Sequence, residues 1–417
     1  PDVSDAEPIL RLAPAMHTTK ITRISLTGDG AVMASGSHDK TVKLWALPEG
    51  RLIRTLRPSI GEGNEGKVYA VAIDPAGRWV AAGGWMGENG TGKTHITIFD
   101  TDTGALRAHL GPLPNVVLDL EASPDGARLA AGLGGANGLR VWGTAGWRPA
   151  WEDTAYGGDV YGLAFAADGR LASTSYDGHI RLHGADGQLV ARARAPGGEQ
   201  PFGLAFDPDG ARLAVGYSDS LAVDVLDAAR LKRLYSADAT GLSGGDLSSI
   251  AWLGGAGAGL RLAAGGTHSQ GGEIPLFTWD AARRGARRPW PGPADAIFDL
   301  APTPEGGPGS GSGAGLALAG GEPSLALYDP DGARILNKLP EIVDLRNKLR
   351  EHFTVSADGR RLRFGLDYGG GTPALFDLAA LSLTDAPQAP PGVAAPDTAR
   401  LDLTPAERTT TPTLPAP

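Results

Sequence analysis

The 417-residue chain contains no cysteine. That absence excludes disulfides, thiolate zinc sites, iron–sulfur clusters and every cysteine nucleophile. Long apolar runs are missing too, since nothing approaches the roughly eighteen unbroken apolar residues of a membrane-spanning helix. There is no basic excess: 38 Lys and Arg against 47 Asp and Glu give a net charge of −9. Such a balance argues against nucleic acid as a partner, because phosphate contacts need clustered Lys and Arg. The eight histidines are scattered without a helical pair at ligand spacing, so neither a metal nor a cofactor is expected. The chain opens on Pro1 with no basic-plus-apolar leader. This is the pattern of a mature chain after signal cleavage, or of a trimmed one. A periplasmic or secreted location is the expectation, with the cytoplasm as the alternative.

What the chain has in quantity is glycine, 62 residues with 32 prolines beside it, which means many tight turns and few long helices. A short apolar strand, a turn ending in Asp-Gly or a variant, and a second apolar strand recur eight times. The units read SLTGDGAVMAS from Ser25, AIDPAGRWVAAG from Ala72, EASPDGARLAAG from Glu121 and FAADGRLAST from Phe165. They continue as FDPDGARLAVG from Phe206, a degenerate AWLGGAGAGLRLAAGG from Ala251, a swollen APTPEGG…GLALAGG from Ala301 and VSADGRRLRFG from Val355. Asp-Gly between alternating apolar runs is a strong hairpin signal.

A third strand follows each hairpin, ending near Trp45, Phe99, Trp142, His183, Leu226, Trp279, Tyr328 and Phe376. The spacing averages about 47 residues, a propeller-type period. A fourth strand follows most units, so the chain is expected to be all-β: one eight-bladed β-propeller, or seven blades if one unit is an embellishment. Residues 15–386 form the propeller in this reading, 1–14 an N-terminal segment and 387–417 a Pro/Ala/Thr-rich tail. Ile9–Leu12 is expected to complete the last blade and so remove an exposed edge. One short helix is expected over Glu341–His352, with Ile342, Leu345 and Leu349 on one face.

The first unit resembles WD40 repeats. His17, Ser35, Asp39 and Trp45 in MHTTKI…ASGSHDKTVKLW stand where that family places a hydrogen-bonded tetrad. Ser173 and Asp177 match in the fourth unit, where His183 replaces the tryptophan, and Asp219 matches in the fifth. A narrower resemblance, carried by strings such as GPLPNVVLDL and TSYDGHIRL, is to the propeller portion of bacterial WD40/caspase-like peptidase fusion proteins. With no cysteine, no peptidase activity carries over.

The run GENGTGKT at Gly87–Thr94 matches the phosphate-binding G-x-x-x-x-G-K-[ST] pattern. That mechanism needs a following helix, whereas HITIFD reads as a strand, so a hairpin loop is predicted. No catalytic constellation emerges, and the expected function is a non-catalytic protein-interaction scaffold binding a protein or peptide. The alternatives are a propeller enzyme acting on a small sugar-derived or lactone substrate, and a regulatory propeller of a caspase-like system lacking its peptidase. The WD40 resemblance points to one face for docking. His38, Tyr176 and Ser218 stand beside its tight turns, Tyr69, Tyr161 and Phe202 near first-strand starts, and Trp85 and Met86 in the second unit's insertion. Aromatic side chains there bring contact area at low rotamer cost.

Overall fold

The computed structural model describes residues 16–339, apart from 60, 62, 88–92, 255–258, 281–286, 308–312 and 322, together with strand segments at 354–355, 361–364 and 374–377. Met16–Pro340 is one compact unit, and the segments beyond it belong to another. There is no helix among the described residues, and the stretch 341–352 lies outside them.

Within Met16–Pro340, seven antiparallel sheets of four strands each are built from strands consecutive in sequence. The inner strands are Ile21–Leu26, Val68–Ile73, Val117–Ala122, Val160–Phe165, Pro201–Phe206, Ser249–Leu253 and Ile297–Pro302. Each packs against the inner strand of the next blade, and the seventh packs against the first.

The propeller therefore has seven blades, not eight. Asp299 of blade 7 accepts a hydrogen bond from the Ile24 amide of blade 1 at 2.8 Å. Met33 and Trp45 of blade 1 share a core with Ala317, Leu325 and Leu327 of blade 7. No space is left between those blades for another. The eighth hairpin instead forms a three-stranded sheet of Thr354–Val355, Arg361–Phe364 and Ala374–Asp377 in the other unit. Ile9–Leu12 lies outside the described residues. The fourth strand of blade 7 is its own Arg334–Lys338.

Local chemistry builds each blade. In the first five hairpins the turn closes on Gly30, Gly77, Gly126, Gly169 and Gly210, at φ of 66–86°, where a side chain would be strained. Their amides donate to the carbonyls of Thr27, Asp74, Ser123, Ala166 and Asp207 at 2.7–2.9 Å. Blades also approach closely because second strands carry small residues. A Cβ on Gly132 would lie 2.7 Å from the Val160 carbonyl of the next blade. The run 87–94 leads into the strand Thr94–Asp100, so a strand and not a helix follows it; residues 88–92 lie outside the described set.

In blade 1, His17 Nδ1 is 2.8 Å from Asp39 and its Nε2 2.7 Å from Ser35, whose hydroxyl accepts the Trp45 indole N–H at 2.8 Å. Burial alone would raise the Asp39 pKa, but the His17 ring, the Thr41 hydroxyl and the Thr18 amide more than offset it and hold Asp39 below the usual carboxylate range. The corresponding turns keep one element of this scheme. Asp39, Asp177 and Asp219 accept the amides of Thr18, Gly157 and Glu199 at 3.1, 3.0 and 2.8 Å. Blade 4 replaces the rest: Tyr156 bonds Ser173 at 2.7 Å, Arg181 pairs with Asp177, and its guanidinium lies 3.9 Å from the Tyr156 ring centre. His183 bonds Asp153 at 2.8 Å and packs on Trp151.

Two substitutions weigh these contacts. Trp45→Ala is expected to cost about 3–5 kcal/mol through the cavity it leaves, and Asp39→Ala about 1–3 kcal/mol through an unpaired buried partner. Urea denaturation of both variants checks the ranking.

Candidate functional site at the channel mouth

Six of the seven inner strands carry a register irregularity near their start. An extra residue there bends the strand and re-aims the side chains beside it. In blade 1 the extra residue is Thr22, and the side chain of Arg23 beside it enters the central channel.

Arg23 is tied to four other blades. Its Nε donates to Asp119 of blade 3 at 3.1 Å, one terminal nitrogen to the Tyr161 carbonyl of blade 4 at 2.8 Å, and the other to the Phe298 carbonyl of blade 7 at 3.4 Å. The guanidinium lies 5.2 Å from the Phe202 ring centre of blade 5. Asp119 also accepts the Leu163 amide at 2.8 Å, just as Asp299 accepts that of Ile24. Burial disfavours the Arg23 charge, yet Asp119 and Asp299 outweigh it and raise its pKa. Burial raises Asp119, with Arg23 opposing. The same burial, resisted by Arg23 and the Ile24 amide and reinforced by Asp119, pushes Asp299 up to about 6.

Above this plug, on the face where inner strands begin, two aromatic groups stand around the mouth. On blades 4 and 5, Tyr161 lies 4.5 Å from Tyr176 and 5.0 Å from Phe202 between ring centres, and the Tyr176 hydroxyl is 2.8 Å from that of Ser218. On blades 1 and 2, the His38 and Tyr69 ring centres are 4.5 Å apart, and the Trp85 side chain, 39 % exposed, stands beside Tyr69. Met86 is not on this surface. It is 3 % exposed and sits in the core between blades 1 and 2, with Val42, Leu44 and Val71, because the turn after Trp85 carries it inward.

The two groups differ in charge. Burial, then Lys20 and Lys67, push His38 down to about 3, while Lys20 lies 5.3 Å from the Phe298 ring centre. Burial followed by Asp159 pushes Tyr161 up to about 12. Tyr176 is raised by burial, with Asp159, Asp246 and Asp219 adding to it. One side of the mouth is basic and the other acidic. Among the described residues, no three His, Asp or Glu side chains gather to hold a metal ion.

Sequence reasoning missed Arg23, Asp119 and Asp299. Their signal was a charge inside otherwise apolar inner strands: ITRISL, VLDLEA and IFDLAP.

Two outcomes are expected. Arg23→Met leaves Asp119 and Asp299 without their cation and should cost about 3–5 kcal/mol, and Arg23→Met/Asp119→Leu should not restore the wild type, because Asp299 stays uncompensated and the Leu163 amide loses its acceptor. Asp299 has a folded pKa above its unfolded one, so its contribution is present below pH 4 and is lost as pH rises through 6. Asp299→Asn should therefore gain on the wild type between pH 4 and 7, by on the order of 2–3 kcal/mol. Denaturant melts across that range check the sign.

Comparison with known proteins bears on the repeats. The family model for the WD domain, G-beta repeat, matches residues 12–46, 50–92 and 151–183. The WD repeat-containing protein VIP3 of Arabidopsis thaliana is 34 % identical over 118 residues, 28 % of this chain and 33 % of that protein. The WD repeat-containing protein SL1-17 of Schistosoma mansoni is 27 % identical over 176 residues, 42 % of this chain and 54 % of its own. Pre-mRNA-processing factor 19 homolog 2 of Arabidopsis thaliana is 22 % identical over 215 residues, 49 % of this chain and 37 % of its own. The chain thus spans from a third to about half of these relatives. They are eukaryotic WD proteins, and the likeness to bacterial peptidase fusions rests on the sequence strings alone. The matched repeats and the blade geometry together make this chain a carrier of WD40 repeats on a seven-bladed β-propeller.

Proposed function

We propose that the chain is a protein-interaction platform whose partner docks over the channel mouth. The observation that carries this reading is the partly exposed aromatic group Tyr161–Tyr176–Phe202, held over the Arg23 plug. Rings fixed in this way offer contact area with little left to order on binding. WD-repeat relatives support a scaffold role in general.

The charge asymmetry indicates how a partner lies. A protein or peptide segment that crosses the mouth places acidic groups near Lys20 and Lys67, and basic groups near Asp159, Asp219 and Asp246. Complementary charge of this kind sets orientation and association rate more than affinity. Catalysis is not part of this reading, and no cofactor is assigned. A lactone or sugar hydrolase would need a nucleophile or metal-held water converging on its substrate, and the residues of the mouth bind one another instead.

Trp85→Ala/Tyr176→Ala separates docking from support. A partner recovered with the wild type is expected to lose at least tenfold in affinity, about 1.4 kcal/mol or more, with the melting midpoint unchanged. Undiminished binding, or unfolding of the variant, overturns the assignment.

A further inference from the structure

Beneath the Arg23 plug the channel opens into a cup of about 650 Å³. It runs from Arg23 to the hairpin turns at Thr27, Gly28, Pro208, Gly254 and Pro304, the face opposite the docking mouth. That volume is in the range of small-molecule sites. Phe165, Phe206 and Trp252 contribute to its wall.

One register position is small in nearly every blade, and in every blade but the second it lines the cup. Ser25, Ala72, Ala164, Ala205, Ala251 and Ala301 occupy it in six inner strands, and each pairs with an alanine of the second strand. Blade 3 breaks the pattern with Glu121, which pairs with Ala130 in the same register. A carboxylate thus projects alone from a ring of small side chains. It accepts no hydrogen bond among the described residues, whereas Asp119 and Asp299 accept several. Glu121 is enclosed by the channel wall yet keeps part of its surface open to the cup.

Charge points to the ligand. Asp119, Glu121 and Asp299 face the cup, and Arg23 is the cation beside Asp119 and Asp299. Arg23 is engaged with Asp119 and two carbonyls, so Glu121 has no counter-ion of its own. Burial, then Asp119 and Asp299, push Glu121 well above the ordinary carboxylate range; a bound cation would favour its ionised form. The apolar wall suits an organic cation better than a bare metal ion, since its hydrocarbon part can pack there while one face of Phe206 and of Trp252 is taken by Arg170 and Arg212, and no three metal-ligating groups converge among the described residues.

We propose that the channel cup is a binding site for a small organic ammonium ion, with Glu121 as its anchoring carboxylate and Asp119 and Asp299 completing the negative floor. This site opens on the face opposite the docking mouth, with Arg23, Tyr161 and Phe202 at its inner end, and the proposal does not rest on a partner docking there.

The test is a calorimetric titration of the full chain at low ionic strength with 1,4-diaminobutane, against 1,4-butanediol as the neutral isostere. The diamine is expected to bind one to one with a Kd of about 1 mM or tighter and to raise the melting midpoint, and the diol to do neither. Glu121→Gln should weaken the diamine at least tenfold. Ala205→Leu, which narrows the cup and leaves every carboxylate in place, should weaken it as much. The glutamine keeps the shape of a carboxyl whose ionisation the free cup disfavours, so that variant is expected to melt no lower than the wild type. Equal binding of diol and diamine overturns the proposal. So does retention of wild-type affinity in either variant, which would mean that the diamine is held by surface charge, and so does the absence of any binding at 10 mM, roughly ten times that Kd.

Discussion

The structure depends on how closely the inner strand of one blade approaches the next. Seven strands around a channel leave inner backbone amides that the sheets' own ladders do not satisfy, and a buried amide without a partner is costly. Two carboxylates meet this need across blade boundaries: Asp119 takes the Leu163 amide and Asp299 the Ile24 amide. Their charges must then be balanced inside the channel. Arg23 is the balancing group, and its reach to blades 3, 4, 5 and 7 follows from its length and its five donors.

The blades were legible because the information that makes them is local. Gly30, Gly77, Gly126, Gly169 and Gly210 are required by a positive φ, and the alternating runs beside them can pair only as hairpins. The number of blades is not local. The segment VSADGRRLRFG carries the same signals as the others and does form antiparallel pairs with its neighbour, yet ring size is decided by whether Ile297–Pro302 meets Ile21–Leu26. Nothing in a hairpin motif encodes that meeting.

The candidate mouth was half legible for a similar reason. Tyr161, Tyr176, Phe202 and Ser218 follow from repeat alignment, since equivalent positions in adjacent blades must lie side by side. Met86 does not, because the insertion that carries it has no equivalent in other blades and its turn directs the thioether toward the Thr97 hydroxyl in the core. The channel charges went unnoticed because a lone Arg or Asp in an apolar strand reads as an exposed face until the bulge beside it is known.

Arg23 also explains how one channel has two unlike ends. On the mouth side its guanidinium plane supports Phe202 and holds the Tyr161 backbone, so the rings above are fixed by a cation. On the cup side the same group is met by carboxylates, one of which, Asp299, also joins blade 7 to blade 1. Moving Arg23 would therefore loosen the rings and leave charge uncompensated at the seam in one step. A neutral side chain of equal length could fill the volume but could not hold both ends, because the carboxylates that close the ring require a cation between them.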